Sequence, residues 1–287
     1  MTGPTAFVLG GGGVLGAAEV GMLRALLEAD VRPDLIVGTS VGALNGAFVA
    51  ADPTVEGTLR LAELWSALAG SGGVFSGSMV ARAATAVRSG THLHSRGPLR
   101  SLLARHLMVE RIEDLTVPFQ CVAASIERAA EHWFDAGSLS DAIMASCAVP
   151  GLLAPVRIGD EHYLDGGLVN SVPVSRAVEL GARKVFVLQV GRVERPLTPP
   201  KLPWQVALVA FEVARRHRFA ADMATLPDFV AVHVLPTGDV VPEGLRQLKY
   251  RDAKRTAERV ERAYEASAAY LSRLDEVTAA FAVEDDA

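Results

Sequence analysis

The chain has 287 residues, a length that suits one large domain or two small ones and allows a sizeable core. Hydrophobic residues make up 50% of the sequence and charged residues 21%, which excludes intrinsic disorder for most of the chain. The 28 basic and 33 acidic residues give a net charge of −5, so no overall basic field draws the protein to nucleic acid or to an anionic membrane.

Cysteine content and the length of apolar runs bear on the compartment of the protein. Cys121 and Cys147 are too few for a disulfide framework and lack the spacing of metal ligands, which favours a reducing compartment. No targeting signal is visible at the N-terminus, and no apolar stretch reaches the roughly 18 residues that a membrane span needs. We therefore expect a cytoplasmic protein without a metal site.

The first 50 residues alternate between buried strands, turns of small residues and helices. The apolar runs Ala6–Leu9 and Leu35–Val37 predict two strands, and each ends at a turn rich in glycine. Apolar residues then recur at helical spacing over Val14–Glu28 and Ala43–Ala51. This order is typical of a parallel sheet covered by helices.

The same alternation continues through the rest of the chain. The further predicted helices are Thr58–Ala69, Leu99–His106, Leu139–Ala148, Val172–Leu180, Trp204–Met223 and about 243–274. The further predicted strands are Phe119–Ile126, Lys184–Val190 and Phe229–Leu235, with His132–Asp135 in a hairpin. The sequence thus predicts a single α/β domain over residues 5–275, a three-layer α/β/α sandwich with a mainly parallel central sheet, and a frayed tail over 276–287.

A segment rich in glycine and serine, about 70–97, interrupts the alternation of strands and helices. Long irregular segments of this kind are either lids over a site or ordinary surface loops, and the sequence favours neither interpretation. A short helix over Met79–Val87 is compatible with the few apolar residues in the segment. We treat the segment as a candidate lid.

Four consecutive glycines, Gly10–Gly13, follow the first strand, and Gly16 lies at the beginning of the next helix. Without side chains, the backbone N–H groups there can converge on a phosphate or a developing oxyanion beside the positive end of a helix. Gly11, Gly13 and Gly16 also fit the dinucleotide-binding fingerprint, but no acid follows the second strand to bind the ribose. A P-loop is excluded, because Ala17 stands where it needs lysine.

The second strand leads into Gly38-Thr39-Ser40-Val41-Gly42, a G-x-S-x-G pattern between a strand and a helix. The small residues permit a sharp turn that presents the Ser40 hydroxyl at the helix N-terminus, where negative charge is stabilised. In this context the pattern favours a nucleophile over a structural turn. An ordinary α/β-hydrolase places the turn after several strands, whereas here it follows the second.

A serine hydroxyl is a weak nucleophile until a base accepts its proton, so Ser40 needs a partner. Asp165, in Asp165-Gly166-Gly167, is one candidate, although Asp-Gly alone is a common turn signal. None of the seven histidines lies in a recognisable motif. His233 alternates with apolar residues in a predicted strand, so a Ser40–Asp165–His233 triad is a minor alternative.

These features, in this order, resemble the patatin-like phospholipase family, which has a glycine-rich loop after its first strand, an early G-x-S-x-G and a later Asp-Gly-Gly. Residues 9–23 are similar to the first loop and helix of the family as a whole, and residues 145–155 to the segment that precedes its aspartate. The similarity spans roughly residues 5–190, and the region after 195 carries little recognisable signal.

The resemblance implies patatin-like topology and a serine–aspartate dyad without histidine, with Ser40 as the nucleophile and Asp165 as the base. The amides that it implies for the oxyanion hole are those of Gly11, Gly12, Gly13 and Val14, and the glycines that support the motifs are Gly16, Gly38, Gly42, Gly166 and Gly167. The implied reaction is hydrolysis of a lipid acyl ester by phospholipase A or lysophospholipase chemistry, without a cofactor or a metal. Transfer of the acyl group to an alcohol is an alternative, because it uses the same acyl-enzyme.

Two positions depart from the family pattern. The family usually has arginine or lysine at the position of Leu15, and bacterial relatives often have histidine at that of Glu19. The absence of a cation beside the glycine loop would weaken a preference for anionic head groups or loosen the loop. These departures motivate a second hypothesis, a non-catalytic relative that binds lipid.

An apolar run after residue 202 leads into three arginines, Arg215, Arg216 and Arg218. Such a segment could rest transiently on a membrane surface, which would make this cytoplasmic protein peripheral to a membrane. A helix packed on the core, with its basic end in solvent, is the favoured interpretation.

Overall fold

The structure is a computed structural model that describes residues 3–69, 96–190, 196–200, 203–238 and 253–285. The candidate lid at about 70–97 lies almost entirely outside these residues, together with the helix considered over Met79–Val87. The beginning of the last predicted helix, at about 243, lies outside the described residues as well.

A mixed sheet of eight strands runs through the centre of the described part of the chain. The strands are β1 (Thr5–Leu9), β2 (Leu35–Thr39), β3 (Phe119–Ser125), β4 (Ala130–Phe134), β5 (Val156–Ile158), β6 (Glu161–Asp165), β7 (Lys184–Leu188) and β8 (Ala231–Val234). Their order is β5-β6-β3-β2-β1-β7-β8, with β4 paired to β3. Five neighbouring strands, β3, β2, β1, β7 and β8, are parallel to one another. The pairs β3–β4, β3–β6 and β5–β6 are antiparallel. The prediction of a mainly parallel sheet is confirmed.

Helices cover both faces of this sheet. They are α1 (Ala17–Glu28), α2 (Val41–Ala51), α3 (Val55–Ala69), α4 (Gly97–His106), α5 (Leu139–Ser146), α6 (Val174–Glu179), α7 (Pro203–Ala224) and α8 (Ala253–Asp285). Successive side chains of a strand point to opposite faces, and those of β1 enter two separate cores. Phe7 and Leu9 belong to the core that includes α1, α2 and α8, whereas Ala6 and Val8 belong to the core that includes α6 and α7. The three-layer α/β/α sandwich is confirmed.

Two details differ from the expectations. The hairpin of β5 and β6 was not predicted, because its strands are short and mix polar with apolar residues. The backbone is helical through Asp285, where a frayed tail from 276 was expected. Alanines in this stretch favour the helical conformation and extend α8 beyond the predicted end.

The neighbours of β3 determine how the two parts of the candidate site meet. Cys121 and Val122 pair with β2 on one side and with β4 on the other. Ala123–Ser125 pair with β4 and with β6. β6 therefore continues on the side of β3 that β2 occupies, and the two strands meet end to end. Their last residues, Thr39 and Asp165, pair with consecutive residues of β3.

The Gly21→Ala variant should be less stable than the wild type. α1 packs against α8 at Gly21, where an added methyl group would overlap the carbonyl oxygen of Val260 and crowd the amide of Tyr264. Overpacking against backbone costs about 1–3 kcal/mol, which exceeds the gain in helix propensity of up to about 1 kcal/mol. Chemical denaturation should show the loss in free energy of unfolding, with Ser272→Ala on the exposed face of α8 as the control. Unchanged or greater stability would contradict the close packing at Gly21.

Candidate active site

Ser40 is the single residue between β2 and α2. Its backbone adopts φ 56° and ψ −122°, a conformation that residues with a side chain rarely take. The turn is held from α5, because the Ser40 N–H donates to Ser146 Oγ (2.8 Å), which itself donates to the Val122 carbonyl oxygen (2.7 Å). Ser40 therefore stands at the N-terminus of α2, where the helix dipole stabilises negative charge.

Ser40 and Asp165 form a direct hydrogen bond in the interior. Ser40 Oγ donates to Asp165 Oδ2 at 2.6 Å, and both residues are buried. The second carboxylate oxygen, Oδ1, accepts the Gly167 N–H at 2.8 Å. The Asp165 N–H donates to the Ala148 carbonyl oxygen (3.0 Å), which fixes the backbone of the aspartate. The carboxylate is thus oriented at both oxygens and can accept the serine proton.

Burial is the largest influence on the Asp165 carboxyl and raises its pKa to about 6. Hydrogen bonds from Ser40 and Gly167 and the positive charge of Arg215 act against this and lower the pKa. The carboxyl is ionised at neutral pH and is a stronger base than an ordinary aspartate. A pKa of this kind suits a general base that works near neutral pH.

The glycine loop between β1 and α1 lies beside Ser40. A Cβ on Gly11 would lie 3.4 Å from Ser40 Cβ and 3.3 Å from Ser171 Oγ, so a side chain at Gly11 would crowd Ser40. The Gly11 N–H donates to the Ser171 carbonyl oxygen at 2.9 Å. This amide is therefore used within the protein, although the resemblance implied it for the oxyanion hole.

The next three amides of the loop belong to Gly12, Gly13 and Val14. A short 3₁₀ helix spans Gly13–Gly16, and the Leu15 N–H donates to the Gly12 carbonyl oxygen at 3.2 Å. The N–H groups of these three residues come before the first N–H that donates within the 3₁₀ helix, so the hydrogen bonds of this helix do not use them. They are the part of the loop that suits an anion.

The glycines predicted to support the motifs lie where neighbouring atoms leave no space for a side chain. At each of them a Cβ would come within 3 Å of another atom: Gly16, Gly38, Gly42, Gly166 and Gly167. At Gly42 the obstacle is the backbone of Leu9 and Gly10, so α2 can approach the end of β1 only without a side chain there.

A buried polar network supports the glycine loop. Glu19 of α1 is fully buried, and its Oε2 accepts a hydrogen bond from Asn45 Nδ2 (2.7 Å). Asn45 also donates to the Gly16 carbonyl oxygen (2.9 Å) and accepts from Trp65 Nε1 (2.9 Å). Burial raises the pKa of Glu19 well above its usual value. The network was not predicted from the sequence, where its signals are Glu19 and Asn45 as polar residues among apolar neighbours in α1 and α2.

Two arginines from the C-terminal helices contact the glycine loop. Arg215 of α7 is only 5% exposed, and its Nη1 donates to the Gly11 carbonyl oxygen (3.0 Å). Arg259 of α8 is also buried, and its Nη1 donates to the Val14 carbonyl oxygen (3.4 Å). The prediction of a solvated basic end for α7 is wrong for Arg215, because the backbone of the loop and Glu212 bind its guanidinium in the interior.

The other two arginines of the predicted basic cluster form ion pairs. Arg216 lies 3.5 Å from Glu212, and Arg218 pairs with Glu131 (2.9 Å) and Asp222 (2.8 Å). Together with the burial of Arg215, these pairs mean that the cluster does not form an open basic face. The cluster therefore gives no support to contact with a membrane.

An apolar cavity of about 70 Å³ lies next to Ser40. Gly13 and Ser40 form part of its wall. The apolar side chains that line it come from α2, α3, α4 and the segment after α5: Leu44, Trp65, Leu68, Leu99 and Leu153. An apolar chain in this cavity would lie next to the serine hydroxyl and the glycine loop.

His233 lies on β8, at the edge of the described sheet and three strands from β2. Strands lie about 4.8 Å apart, so about 14 Å separate these two strands. His233 Nδ1 is 3.2 Å from the Tyr270 hydroxyl, and its ring stacks on Phe186 with 5.1 Å between centroids. The triad alternative is therefore wrong, since the structure brings only Ser40 and Asp165 together.

Ester hydrolysis should not depend on His233. His233→Phe keeps a ring that can stack on Phe186, so we expect the fold and the wild-type rate to be retained. The rate of hydrolysis of a soluble p-nitrophenyl ester measures this. A loss as large as that of an Asp165 variant would show that the histidine takes part after all.

Metal ions and thiols are the other chemistries that the sequence raised. Among the residues that the structure describes, no group of three or more His, Cys, Asp or Glu side chains could hold a metal ion. Cys147 lines the cavity beside Ser40, but burial and the negative charge of Asp165 raise its pKa well above the usual value. It is therefore a neutral thiol. Within the same described ranges, no helix is long and apolar enough to cross a membrane.

The fold and the site define an α/β protein in which a strained serine at a helix N-terminus is hydrogen-bonded to a buried carboxylate. The sequence profile of the family described as Patatin-like phospholipase matches residues 7–178. The chain belongs to this family, as the order of its glycine loop, G-x-S-x-G turn and Asp-Gly-Gly segment predicted.

The curated relatives of the chain are much longer proteins. The chain is 35% identical over 196 residues to Patatin-like phospholipase domain-containing protein 7 of Mus musculus, which covers 67% of this chain and 14% of that protein. It is 31% identical over 187 residues to Lysophospholipase nte1 of Aspergillus terreus, which covers 65% of this chain and 12% of that protein. Among solved structures, VipD from Legionella pneumophila is 13% identical, with a TM-score of 0.49 over 94% of this chain and 67% of that one.

Proposed function

We propose that the protein is a lipid acyl-ester hydrolase of the phospholipase A or lysophospholipase type, with Ser40 as the nucleophile and Asp165 as the general base. The observation that carries the proposal is the 2.6 Å hydrogen bond from Ser40 Oγ to Asp165 Oδ2. It gives the hydroxyl proton an acceptor before the substrate reacts. Family membership and the names of the relatives, a phospholipase-domain protein and a lysophospholipase, support the same reaction.

In the first step, Ser40 Oγ attacks the ester carbonyl carbon while its proton passes to Asp165 Oδ2. A carbon–oxygen bond forms, and the carbonyl electron pair moves onto the carbonyl oxygen. The tetrahedral intermediate then collapses and breaks the bond to the alcohol or lysolipid. The leaving oxygen takes the proton from Asp165, and the acyl group remains on Ser40 as an ester.

In the second step, a water molecule takes the place of the leaving alcohol. Asp165 accepts a proton from the water as its oxygen attacks the acyl-enzyme, and the same proton returns to Ser40 Oγ when the fatty acid leaves. One carboxyl group serves both steps because its pKa of about 6 is close to neutral pH. An alcohol in place of water would give acyl transfer by the same steps.

We assign the oxyanion hole to the amides of Gly12 and Gly13, with Val14 as a further candidate. Gly11 is excluded from this assignment, because its N–H already donates to the Ser171 carbonyl oxygen. Gly13 and Ser40 line the same cavity, which supports the role of the Gly13 amide. Such donors act on the oxygen as negative charge develops there, and each is worth about 3 kcal/mol of barrier.

The acyl chain of the substrate would occupy the apolar cavity beside Ser40. Its lining of leucine side chains and Trp65 supplies an apolar environment for hydrocarbon. The chemistry assigned to Ser40 and Asp165 needs no cofactor. A lipid substrate implies transient contact with a membrane or micelle, and the arginines of α7 do not supply that surface, because they are paired within the protein.

The hypothesis of a non-catalytic relative that binds lipid was based on Leu15 and Glu19, and the surroundings of both residues weaken it. Glu19 lies in a hydrogen-bonded network with Asn45, and two arginines from α7 and α8 stand beside the loop that lacks a cation at Leu15. Glu19 therefore has a hydrogen-bond partner, and the loop has cationic neighbours although position 15 is leucine. Acyl transfer to an alcohol stays a second candidate, because the acyl-enzyme is common to both reactions.

A panel of esters and lipids tests the proposal. Fatty-acid release should be measured from phosphatidylcholine, lysophosphatidylcholine and p-nitrophenyl esters of increasing chain length, with wild type and Ser40→Ala side by side. We expect release that depends on Ser40 from at least one lipid, and acyl transfer would appear as a new ester when glycerol is added. Lipid that copurifies with the protein, without turnover of any ester, would instead support a non-catalytic relative.

A further inference from the structure

Two buried arginines contact the glycine loop from outside residues 7–178, the part of the chain that the family profile matches. A guanidinium is costly to remove from water unless hydrogen bonds compensate. Arg215 Nη1 donates to the Gly11 carbonyl oxygen (3.0 Å) and its Nη2 to Glu212 (3.1 Å), and Arg259 Nη1 donates to the Val14 carbonyl oxygen (3.4 Å). Carbonyl groups of the loop are thus acceptors for both side chains.

We propose that Arg215 and Arg259 are positioning residues for the oxyanion loop, and that they aim the amides of Gly12 and Gly13 by holding carbonyl groups of the loop. The inference rests on the proposed acyl-ester hydrolysis and names two residues that serve it. It gives the loop cationic partners from the C-terminal helices, where the family pattern has arginine or lysine at the position of Leu15.

Arg215 orients the Gly12 amide through a single peptide unit. A trans peptide points its C=O and its N–H in opposite directions, and the Gly11 carbonyl shares a unit with the Gly12 N–H. A guanidinium that holds this carbonyl therefore fixes the direction of the Gly12 N–H. The Ser171 carbonyl oxygen holds the preceding N–H, that of Gly11, at 2.9 Å. The positive charge also polarises the unit and strengthens the Gly12 amide as a donor.

Arg259 acts on the Gly13 amide less directly, through one additional hydrogen bond within the loop. The Val14 carbonyl shares a peptide unit with the Leu15 N–H, which donates to the Gly12 carbonyl oxygen at 3.2 Å. The Gly12 carbonyl in turn shares its unit with the Gly13 N–H. Aligned units of this kind strengthen one another. The bond from Arg259 is 3.4 Å, longer than the 3.0 Å of Arg215, so we expect a smaller effect from Arg259.

Arg215 also acts on the general base. Its positive charge lowers the pKa of Asp165, against the burial that raises this pKa to about 6. Ser40 and Gly167 donate hydrogen bonds to the carboxylate and lower its pKa further. Cys147 also interacts with Asp165, but burial and this carboxylate raise the pKa of its thiol, which is therefore neutral. Loss of the positive charge at position 215 should therefore raise the pKa of the aspartate.

The test is the Arg215→Gln variant, with kcat, KM and the pH profile measured on a soluble ester. We expect kcat to fall about 10- to 100-fold with little change in KM, less than the roughly 10²- to 10³-fold cost of removing a donor outright. The acid limb of kcat/KM should move to higher pH. Arg215→Lys keeps the charge without the planar fork, so it should restore the acid limb and recover kcat only in part. Arg259→Gln should lower kcat by less, with the acid limb unchanged.

Arg218→Gln is the matched control on the same helix. Arg218 pairs with Glu131 and Asp222, so its removal weakens the docking of α7 without contact with the loop. Wild-type kinetics in this control, with circular dichroism and thermal unfolding of the Arg215 variants, separate positioning from folding. If Arg215→Gln does not fold, the split between kcat and the acid limb in Arg215→Lys decides instead.

Four outcomes would contradict the inference or the proposed function. A wild-type kcat and pH profile in Arg215→Gln would overturn the inference, and so would an equal loss of kcat in Arg218→Gln. A wild-type kcat in Arg215→Lys would remove the role of the planar fork and overturn the positioning part. Absence of any Ser40-dependent turnover in the wild type would reject the proposed function itself, and the inference with it.

Discussion

Replacement of Ser40 by alanine should lower ester hydrolysis by at least about 10³-fold, because the variant has no oxygen that can carry the acyl group. A fluorophosphonate probe should modify the wild type at Ser40, which mass spectrometry of the labelled peptide can identify, and should not modify the variant. The fold should be retained, since the side chain is small and makes one hydrogen bond in the site, to Asp165. A soluble p-nitrophenyl ester avoids effects of lipid aggregation on the measured rate.

Ser138→Ala is the control for this experiment. Ser138 caps the N-terminus of α5, where its Oγ accepts the Asp141 N–H at 3.3 Å, and it is exposed. Its removal should cost about 1 kcal/mol of stability and leave both labelling and hydrolysis intact. Labelling that persists in Ser40→Ala at the same rate would reject Ser40 as the nucleophile.

The second large effect is expected at Asp165. Asparagine keeps the shape of the side chain but cannot accept the serine proton, so Asp165→Asn should lower hydrolysis by about 10²- to 10⁴-fold. In the wild type, kcat/KM should decline as the pH falls below about 6, the pKa of Asp165, because the carboxyl group is then protonated. The residual activity of the variant should lack this acid limb. A limb that is identical in the variant would mean that another group is the base.

The same variant should be more stable than the wild type at neutral pH, and the sign follows from the raised pKa. The folded state binds the Asp165 proton more tightly than the unfolded chain does, so the ionised carboxyl lowers stability as pH rises from about 4 to about 6. Asparagine has no charge to bury. The gain in free energy of unfolding should be absent near pH 4 and reach up to about 3 kcal/mol above pH 6.

Denaturation at several pH values, for wild type and Asp165→Asn in parallel, measures this difference. Asp160→Asn is the matched control, because Asp160 lies in the turn between β5 and β6 with its side chain fully in solvent. The control should keep wild-type activity and the wild-type dependence of stability on pH. A stability difference for Asp165→Asn that is the same at pH 4 and pH 7 would contradict the raised pKa.

The glycine loop and the G-x-S-x-G turn could be recognised as candidate site elements from the sequence, because each of them is local. Ser40 lies in a sharp turn between a strand and a helix, and the glycines on either side of it indicate this turn within five residues. Asp165 was harder to recognise as a candidate base, since Asp-Gly is an ordinary turn signal. Only the resemblance to a family distinguished this aspartate from one in a structural turn. The alternation of apolar runs gave the parallel strands and most helix bounds for the same local reason.

What the sequence could not give depends on contacts between distant segments. Arg215 and Arg259 reach the glycine loop from more than 200 residues away, and no local pattern distinguishes them from surface arginines. The use of the Gly11 amide by Ser171 is a backbone contact, which leaves no trace in residue types. The β5–β6 hairpin was missed because its strands are too short to show a period.

Because β2 and β6 meet end to end on β3, Ser40 and Asp165 lie at a junction of three strands and not in any one stretch of chain. Ser40 and Asp165 are 125 residues apart in sequence, yet their strands pair with the consecutive residues Val122 and Ala123. Two residues of the connection between β3 and β6 add further anchors, because Ser146 accepts the Ser40 N–H and Ala148 accepts the Asp165 N–H. An exchange of segments with a relative should therefore keep the two side chains together only where these strand ends and their two anchors are kept.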